Sequence, residues 1–259
     1  MNKKNYKILF FMLFVIIGIY TFFQYKNNTI LAKDIYSIKQ KIIASPVIAT
    51  INNDCNIYLD KELKNIITTI KKGTNVEILQ DKTKKIYCIK NEELNVQGWV
   101  KREDLYIPET PLANKEYLKD IELETYVNYL GLDSKTQYLI FTDIYRQLTY
   151  IFKGKCEDWK LVKTIPCGTG VNESPTTRGI FEISDKGSWF YSERLGSGAM
   201  YWIRFNGSYL YHSVAMDKNK NIIDNTIGER CSSGCVRMSI DDIKWVYDNI
   251  EKGTTVYIN

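Results

Sequence analysis

Histidine is almost missing from this chain: His212 is the only one in 259 residues. Zinc sites of the Cys/His type need several ligands at short paired spacings. None of the six cysteines (Cys55, Cys88, Cys156, Cys167, Cys231, Cys235) shows such a spacing, so no metal site is expected. Proline is scarce, five in all, and the composition is not that of a collagen, a coiled coil or a wholly disordered chain. Acidic residues are absent from residues 1–26, where Lys3, Lys4, Lys7 and Lys26 supply four of the net +5. The rest of the chain carries only +1, with the signs interspersed, which leaves no electrostatic footprint for a nucleic acid. What is abundant is tyrosine, 19 residues, together with isoleucine; both favour strands, so a mainly β chain is expected.

Charge is also absent from Ile8 to Tyr25, 18 residues preceded by lysines. At about 1.5 Å rise per residue a helix of that length nearly spans a hydrocarbon core. The run ends in Phe22-Phe23-Gln24-Tyr25 without the small residues of a cleavage site, which favours an uncleaved signal-anchor over residues 1–26. Lysines flank the run on both sides, so charge alone does not set its orientation.

Residues 27–43 are polar and lysine-rich, as suits a stalk. From 44 to 107 the chain reads as short strands: Val47–Ile51, Asn56–Leu59, Ile66–Ile70, Asn75–Leu79, Lys85–Lys90 and Gln97–Lys101. The segment Lys72-Gly73-Thr74-Asn75-Val76-Glu77-Ile78, followed by Gly98-Trp99-Val100 and Leu105, resembles the bacterial type of Src-homology-3-like barrel. That family accompanies cell-wall enzymes; a plain spacer is the other reading. Pro108 and Pro111 mark a boundary, and residues 108–135 read as a linker with a helix over Asn114–Leu130, its stripe being Tyr117, Ile121, Tyr126 or Val127, and Leu130.

From 136 to 259 strands return at Tyr138–Thr142, Leu148–Phe152 and Trp159–Pro166. Asn206-Gly207 between two β-prone runs predicts a two-residue hairpin turn, because both turn positions need positive φ. Counting outward pairs Ile203 with Leu210 and Tyr201 with His212, and puts His212 on a face with Leu210 and Ile203. Ser239 reads as the N-cap of a helix with Ile240, Ile243, Val246 or Tyr247 and Ile250 buried, and Thr254–Ile258 as a closing strand. Within these two β regions, Cys55 and Cys88 or Cys156 and Cys167 are candidate disulfide partners; buried free thiols are the alternative.

Chemistry concentrates in Cys231-Ser-Ser-Gly-Cys235-Val-Arg237. A glycine before a loop cysteine lets backbone approach a bound carbonyl, with neighbouring N–H groups free to meet an oxyanion. Cys235 needs a base, and His212 lies 23 residues upstream.

These residues resemble the L,D-transpeptidase catalytic domain of the YkuD type. That pattern has a histidine ending a strand, about twenty residues, then Ser-His-Gly-Cys, an apolar residue and Arg. Here it reads His212-Ser213, Ile227-Gly228, then Ser232-Ser233-Gly234-Cys235-Val236-Arg237. Upstream, Cys167-Gly168-Thr169-Gly170 and Ser174-Pro175-Thr176-Thr177-Arg178-Gly179-Ile180-Phe181 match its Gly-rich and Thr-Pro-x-Gly-x-Phe-like segments; downstream, Trp245-Val246-Tyr247 and Gly253-Thr254-Thr255-Val256 match its closing helix and strand. Ser233 stands where much of the family has a second histidine, so that residue's work falls to its hydroxyl or to nothing. The resemblance implies a β-sandwich with few helices and no metal or organic cofactor. It implies Cys235 as nucleophile, His212 as base oriented by the Ser213 carbonyl, and amides at Ser233, Gly234 and Cys235 as oxyanion donors. Arg237 is a substrate-carboxylate or structural residue, and Tyr201, Trp202 and Tyr211 are candidate cleft or core aromatics. Cys231 is left open between an oxidative lock on Cys235 and packing.

The implied activity is formation of crosslinks between third stem residues of peptidoglycan, on the extracellular, wall-facing side of a single-pass membrane protein. Carbapenem-type β-lactams are the implied inhibitors. The alternatives are an L,D-carboxypeptidase or endopeptidase on the same residues, a wall-binding protein with a decayed catalytic domain, and a cytosolic thiol enzyme, which the apolar N-terminal run disfavours.

Overall fold

The computed structural model describes residues 33–259, which fall into two units, one ending at Ile42 and one running from Ile43 to Asn259. The expected membrane segment at 8–25 lies outside the described residues. Among the described residues the first unit contributes a helix at 33–41, and no helix is long and apolar enough to cross a membrane.

The second unit opens with β1 (Val47–Ile51), β2 (Cys55–Tyr58), β3 (Ile66–Ile70), β4 (Asn75–Lys82), β5 (Ile86–Asn91), β6 (Val96–Lys101) and β7 (Leu105–Tyr106). They form one antiparallel sheet in the order β3-β2-β6-β5-β4-β1-β7. Alternation explains it: in β1 the inward residues Val47, Ala49 and Ile51 are buried, and with Ile57, Val76, Ile78, Ile89 and Val100 they make a core of their own. The expected strands agree with the observed ones to within three residues at each end.

Neither expected disulfide pair is bonded; all six thiols are free. Cys156 precedes β10 (Lys160–Pro166) and Cys167 follows it, so a whole strand separates them. Cys55 and Cys88 lie on β2 and β5, with β6 between. Both separations exceed the roughly 7 Å Cα reach of a disulfide.

The linker helix is shorter than expected. It is α1 (Asp120–Tyr129), entered where the Lys119 N–H donates to Glu122 Oε2 at 2.9 Å. Starting at Asp120 rotates the buried stripe to Leu123, Tyr126 and Val127, and leaves Tyr117 and Ile121 exposed.

The C-terminal half is a sandwich. One sheet is β10-β9-β8-β18-β11, with β8 (Tyr138–Asp143), β9 (Leu148–Lys153), β11 (Gly179–Glu182) and β18 (Thr255–Ile258). Strand β8 is buried on both faces, which accounts for its unbroken apolar run: Ile140 faces the inter-sheet core, while Phe141 stacks on Tyr257 and meets Tyr126 of α1. The second sheet runs β16-β15-β13-β14-β17, with β12 (Asp185–Ser192) added to β13 (Ser197–Asn206), and includes β14 (Tyr209–Ser213), β15 (Ala215–Met216), β16 (Ile222–Asp224) and β17 (Val236–Met238). Between the sheets Ile140, Ile151 and Val256 pack on Ile203, Tyr211 and Val236, and α2 (Ile240–Asn249) closes the core with Ile243 and Val246. The α2 cap is the expected one: Ser239 Oγ accepts from the Asp242 N–H at 3.1 Å.

The β13–β14 hairpin departs from expectation by one residue. Its turn is Gly207-Ser208, flanked by Asn206 and Tyr209, and the register slips between Arg204 and Asn206. Ile203 therefore faces Tyr211, not Leu210, and His212 does not share a face with Ile203. The Arg204 guanidinium donates to the Gly207 carbonyl at 2.7 Å and braces the shifted turn.

The seven-stranded sheet is tied to the sandwich through the segment 173–178. Arg102 holds Glu173 through two nitrogens, Tyr87 Oη donates to the Glu173 carbonyl at 2.9 Å, Ser174 Oγ meets Asp81 and Arg178 pairs with Glu77 at 2.6 Å.

Candidate active site

Strands β14 and β17 are parallel neighbours, with Tyr211 opposite Val236 and His212 opposite Arg237. Cys235 immediately precedes β17, so this register sets it beside Leu210, one dipeptide step from His212. Two residues far apart in sequence thereby line one cleft of about 410 Å³, together with Phe190, Trp202, Arg194 and Arg237. A smaller void of about 130 Å³, lined by Glu77 and Arg178 among others, has no cysteine or histidine in its wall.

His212 is 8% exposed, and its Nδ1 lies 2.6 Å from the Ser213 carbonyl. A carbonyl only accepts, so Nδ1 carries the hydrogen and Nε2 keeps its lone pair for a proton. The Phe190 ring meets the imidazole edge-on with centroids 5.6 Å apart. Burial holds the imidazole down to a pKa of about 4; the Ser213 carbonyl opposes this and the Arg237 charge adds to it.

The Cys235 thiol lies 3.7 Å from the Ser208 carbonyl, to which it donates. Burial pushes it up to about 11, against the pull of the Leu210 N–H and of Arg204, Arg194 and Arg237. The side chain is partly open to the cleft, and water there offsets part of that penalty. At neutral pH the pair therefore rests as thiol and neutral imidazole, not as an ion pair.

The loop before Cys235 is held by two hydroxyls. Ser232 Oγ donates to the Cys235 carbonyl at 2.5 Å and accepts from the Gly234 N–H at 3.2 Å. Thr176 Oγ1 donates to the Gly234 carbonyl at 2.7 Å and accepts from the Gly170 N–H at 2.9 Å. Gly234 has φ +103°, and a Cβ there would stand 2.7 Å from Tyr209 Cε1, so only glycine is accommodated. Ser233, expected to support this loop, is exposed and its hydroxyl has no partner among the described residues; the ordering role belongs to Ser232 and Thr176. Because Ser232 engages the Gly234 amide, the Ser233 and Cys235 amides are left as the unengaged donors among the described residues.

Arg237 lines the cleft as expected but is held by Asp224 at 2.5 Å; it is 7% exposed, and its Nε has no acceptor. Of the three candidate aromatics only Trp202 reaches the cleft. Tyr211 is fully buried in the inter-sheet core, with its hydroxyl 2.7 Å from Thr142 Oγ1. Tyr201 packs against that core and lies 5.5 Å from Tyr247. The one-residue register shift is the reason: it turns odd-numbered Tyr201, Ile203 and Tyr211 inward and Trp202, Leu210 and His212 toward the cleft. Cys231 lines the same cleft; its thiol donates to the Thr226 carbonyl at 3.4 Å, and burial raises its pKa.

Sequence reasoning missed Phe190 and Arg194. Both belong to the β12–β13 hairpin, whose tip at 193–196 borders the cleft, and only the strand pairing brings it near Cys235. The hydroxyls of Thr176 and Ser232 were visible within the quoted motifs, but not their roles.

Residues 137–258 match the YkuD family, described as the L,D-transpeptidase catalytic domain. A curated relative, the putative L,D-transpeptidase YciB of Bacillus subtilis (strain 168), is 33% identical over 129 residues, which is 46% of this chain and 64% of the relative. The chain thus spans just under two thirds of that protein. Among solved structures, a fused Zn-dependent amidase/peptidase/peptidoglycan-binding domain-containing protein from Clostridium acetobutylicum ATCC 824 is 30% identical, with a TM-score of 0.47, over 54% of this chain and 59% of that one. An L,D-transpeptidase from Mycobacterium smegmatis is 13% identical, with a TM-score of 0.38, over 67% of this chain and 66% of its own.

Proposed function

Residues 137–258 match the L,D-transpeptidase catalytic-domain family, and from that match we propose that this chain belongs to it and crosslinks peptidoglycan stem peptides through a thioester on Cys235. The observation that supports the reading is that Cys235 and an imidazole whose Nδ1 lies on the Ser213 carbonyl line one cleft.

In the first half-reaction His212 Nε2 takes the Cys235 proton as sulfur adds to the carbonyl of the third stem residue. The amides of Ser233 and Cys235 receive the oxyanion. The C–N bond to the terminal D-alanine breaks, His212 returns the proton to the leaving amine, and a thioester remains. In the second, the amine of another stem attacks the thioester, gives a proton to His212, and the C–S bond breaks to regenerate the thiol. Each half-reaction begins and ends with a neutral imidazole and passes through an imidazolium, whose proton goes to the leaving amine in the first and to the departing Cys235 sulfur in the second. Arg237, which lines the cleft, is the proposed contact for a substrate carboxylate. A carbapenem enters the same path: its strained ring acylates Cys235 and leaves slowly.

We assign the membrane anchor to residues 8–25, supported by 18 residues without charge, with the short tail before it cytoplasmic and the chain after it outside, facing the wall. The seven-stranded sheet is read as the Src-homology-3-like module.

The test is incubation of the full chain, in detergent, with disaccharide-tetrapeptide and mass analysis of the products beside Cys235→Ala. A dimer that has lost one D-alanine, absent with the variant, is expected. D-alanine release without a dimer makes the protein a carboxypeptidase, and neither product leaves the wall-binding reading.

A further inference from the structure

A second cleft of about 470 Å³ lies between the turn joining β4 to β5 and the catalytic loops. It shares Arg194, Leu195, Ser208 and Ser233 with the cleft of His212, so the two adjoin at the same loops, and Ser208 is the residue whose carbonyl holds the Cys235 thiol. The two differ in what else lines them. His212 and Cys235 border only the first, whereas Lys61, Lys82 and Lys84 of the seven-stranded sheet border only the second, which approaches the thiol through Ser208 and Ser233.

Proton bookkeeping distinguishes their uses. The departing D-alanine amine and the incoming acceptor amine both exchange protons with His212, so both need the His212 side. The acyl portion stays on sulfur through both half-reactions and has to lead away on the other side. Resting on the transpeptidase reading, we propose that this second cleft holds the acyl half of the donor stem, and that the seven-stranded sheet supplies the cations that recognise it. In a stem peptide the residue before the third is a γ-linked glutamate with a free α-carboxylate, which gives that half its negative charge.

The electrostatics agree. Lys61, Lys82, Lys84 and Arg194 have no ion-pair partner among the described residues, although Lys61 lies over the Trp99 ring at 5.0 Å. Glu173, the carboxylate next to Lys84, is taken up by Arg102. Asp81, the one acid in the cleft wall, already accepts from Ser174 Oγ and from the Lys84 N–H. The cations therefore outnumber the available acceptors. The backbone carrying Lys82 and Lys84 is anchored, since Glu173 and Ser174 clamp the sheet to the sandwich. The β4–β5 turn also keeps Thr83 and Lys84 at φ +56°, where glycine or asparagine is the usual choice.

The experiment measures binding to the full chain in detergent, made inert by Cys235→Ala. The probes are synthetic stem tetrapeptides with lysine or diaminopimelate as third residue, each as the free α-carboxylate and as the α-amide of its glutamate. The carboxylate form is expected to bind about tenfold tighter than the amide, the size of one charge-assisted contact. Adding Lys82→Gln and Lys84→Asn, where asparagine tolerates the left-handed turn, is expected to bring the carboxylate form down to the amide's affinity and leave the amide unmoved. Equal affinities for the two forms, equal weakening of both by the substitutions, or no binding of any probe would each overturn the proposal. If the affinity difference holds but the unmodified chain releases no D-alanine from any tetrapeptide, the transpeptidase reading fails and the binding site stands.

Discussion

Two buried pairs of titratable side chains sit in the same sandwich and behave in opposite ways. At the β8–β9 turn, Asp143 and Arg146 are 0% and 3% exposed, 3.0 Å apart, and Arg146 Nε also donates to the Glu116 carbonyl. Burial lifts the Asp143 carboxyl, and the guanidinium opposes it. At the end of β14, His212 is buried without a carboxylate partner and Cys235 is half-buried within the field of Arg204, Arg194 and Arg237 but ion-paired to none, and both face a cleft. The first pair is ionic, closed to solvent and tied into backbone; the second is neutral and open on one side. Burial alone therefore marks neither structure nor function. What marks function is a buried proton donor and acceptor left without charge partners where a ligand can reach them.

The largest effects come from breaking each pair in turn. Cys235→Ala and His212→Gln are each expected to cut turnover of disaccharide-tetrapeptide about a thousandfold or more, with little change in the urea midpoint. Arg146→Met does the reverse. It strands a buried carboxylate and is expected to cost about 3–5 kcal/mol in urea unfolding, while the carbapenem acylation rate per folded molecule stays as it was.

The pH response separates the pairs next. His212 titrates near 4 in the folded chain, below its ordinary 6.5. Above pH 6.5 both states hold it neutral and stability is full. As pH falls from 6.5 toward 4 the unfolded state takes up the proton first, so about 3 kcal/mol is lost across that window. In His212→Gln that part of the slope is expected to vanish from urea unfolding measured at several pH values. For acylation the same shift predicts a rate that holds level through pH 6.5 and falls only near pH 4; a fall centred on 6.5 would mean an imidazole in contact with water.

Smaller effects concern the loop. Gly234→Ala places a methyl against Tyr209 at φ +103° and is expected to cost about 1–3 kcal/mol in unfolding, with slower acylation. Ser232→Ala removes a clamp on the Cys235 carbonyl and is expected to slow acylation about tenfold, the worth of one buried hydrogen bond. Ser233→Ala, by contrast, removes a hydroxyl without a partner and is expected to stay within about twofold.

The seven-stranded sheet was legible almost strand by strand, because each strand buries one face and exposes the other, so period-two alternation shows directly, as at Val47, Ala49 and Ile51. That His212 and Cys235 share a cleft was legible for another reason: a single histidine and a Ser-Ser-Gly-Cys loop leave few choices. What failed was whatever depends on register or on contacts distant in sequence. The Asn206-Gly207 signal was read as the two turn positions, but the chain turns at Gly207-Ser208 and bulges beside it, which exchanged the faces of Tyr211 and Leu210 relative to Ile203. The α1 stripe was misplaced because its start depends on Glu122 reaching back to Lys119, not on apolar spacing. Ser232 and Ser233 are adjacent and chemically identical, and only the folded loop separates the buried clamp from the exposed neighbour. The hairpin tip with Arg194 reaches the cleft of Cys235, and the lysines of the second cleft reach Ser208 and Ser233, through tertiary pairing, which no local pattern encodes.

The most direct test of the account is to treat the full chain with a carbapenem, digest it, and locate the adduct among its six cysteines by fragment mass spectra. The account predicts stoichiometric acylation of Cys235 that is lost in His212→Gln, with Cys231 on the same peptide unmodified. An adduct on Cys231, or none on either residue, would contradict it.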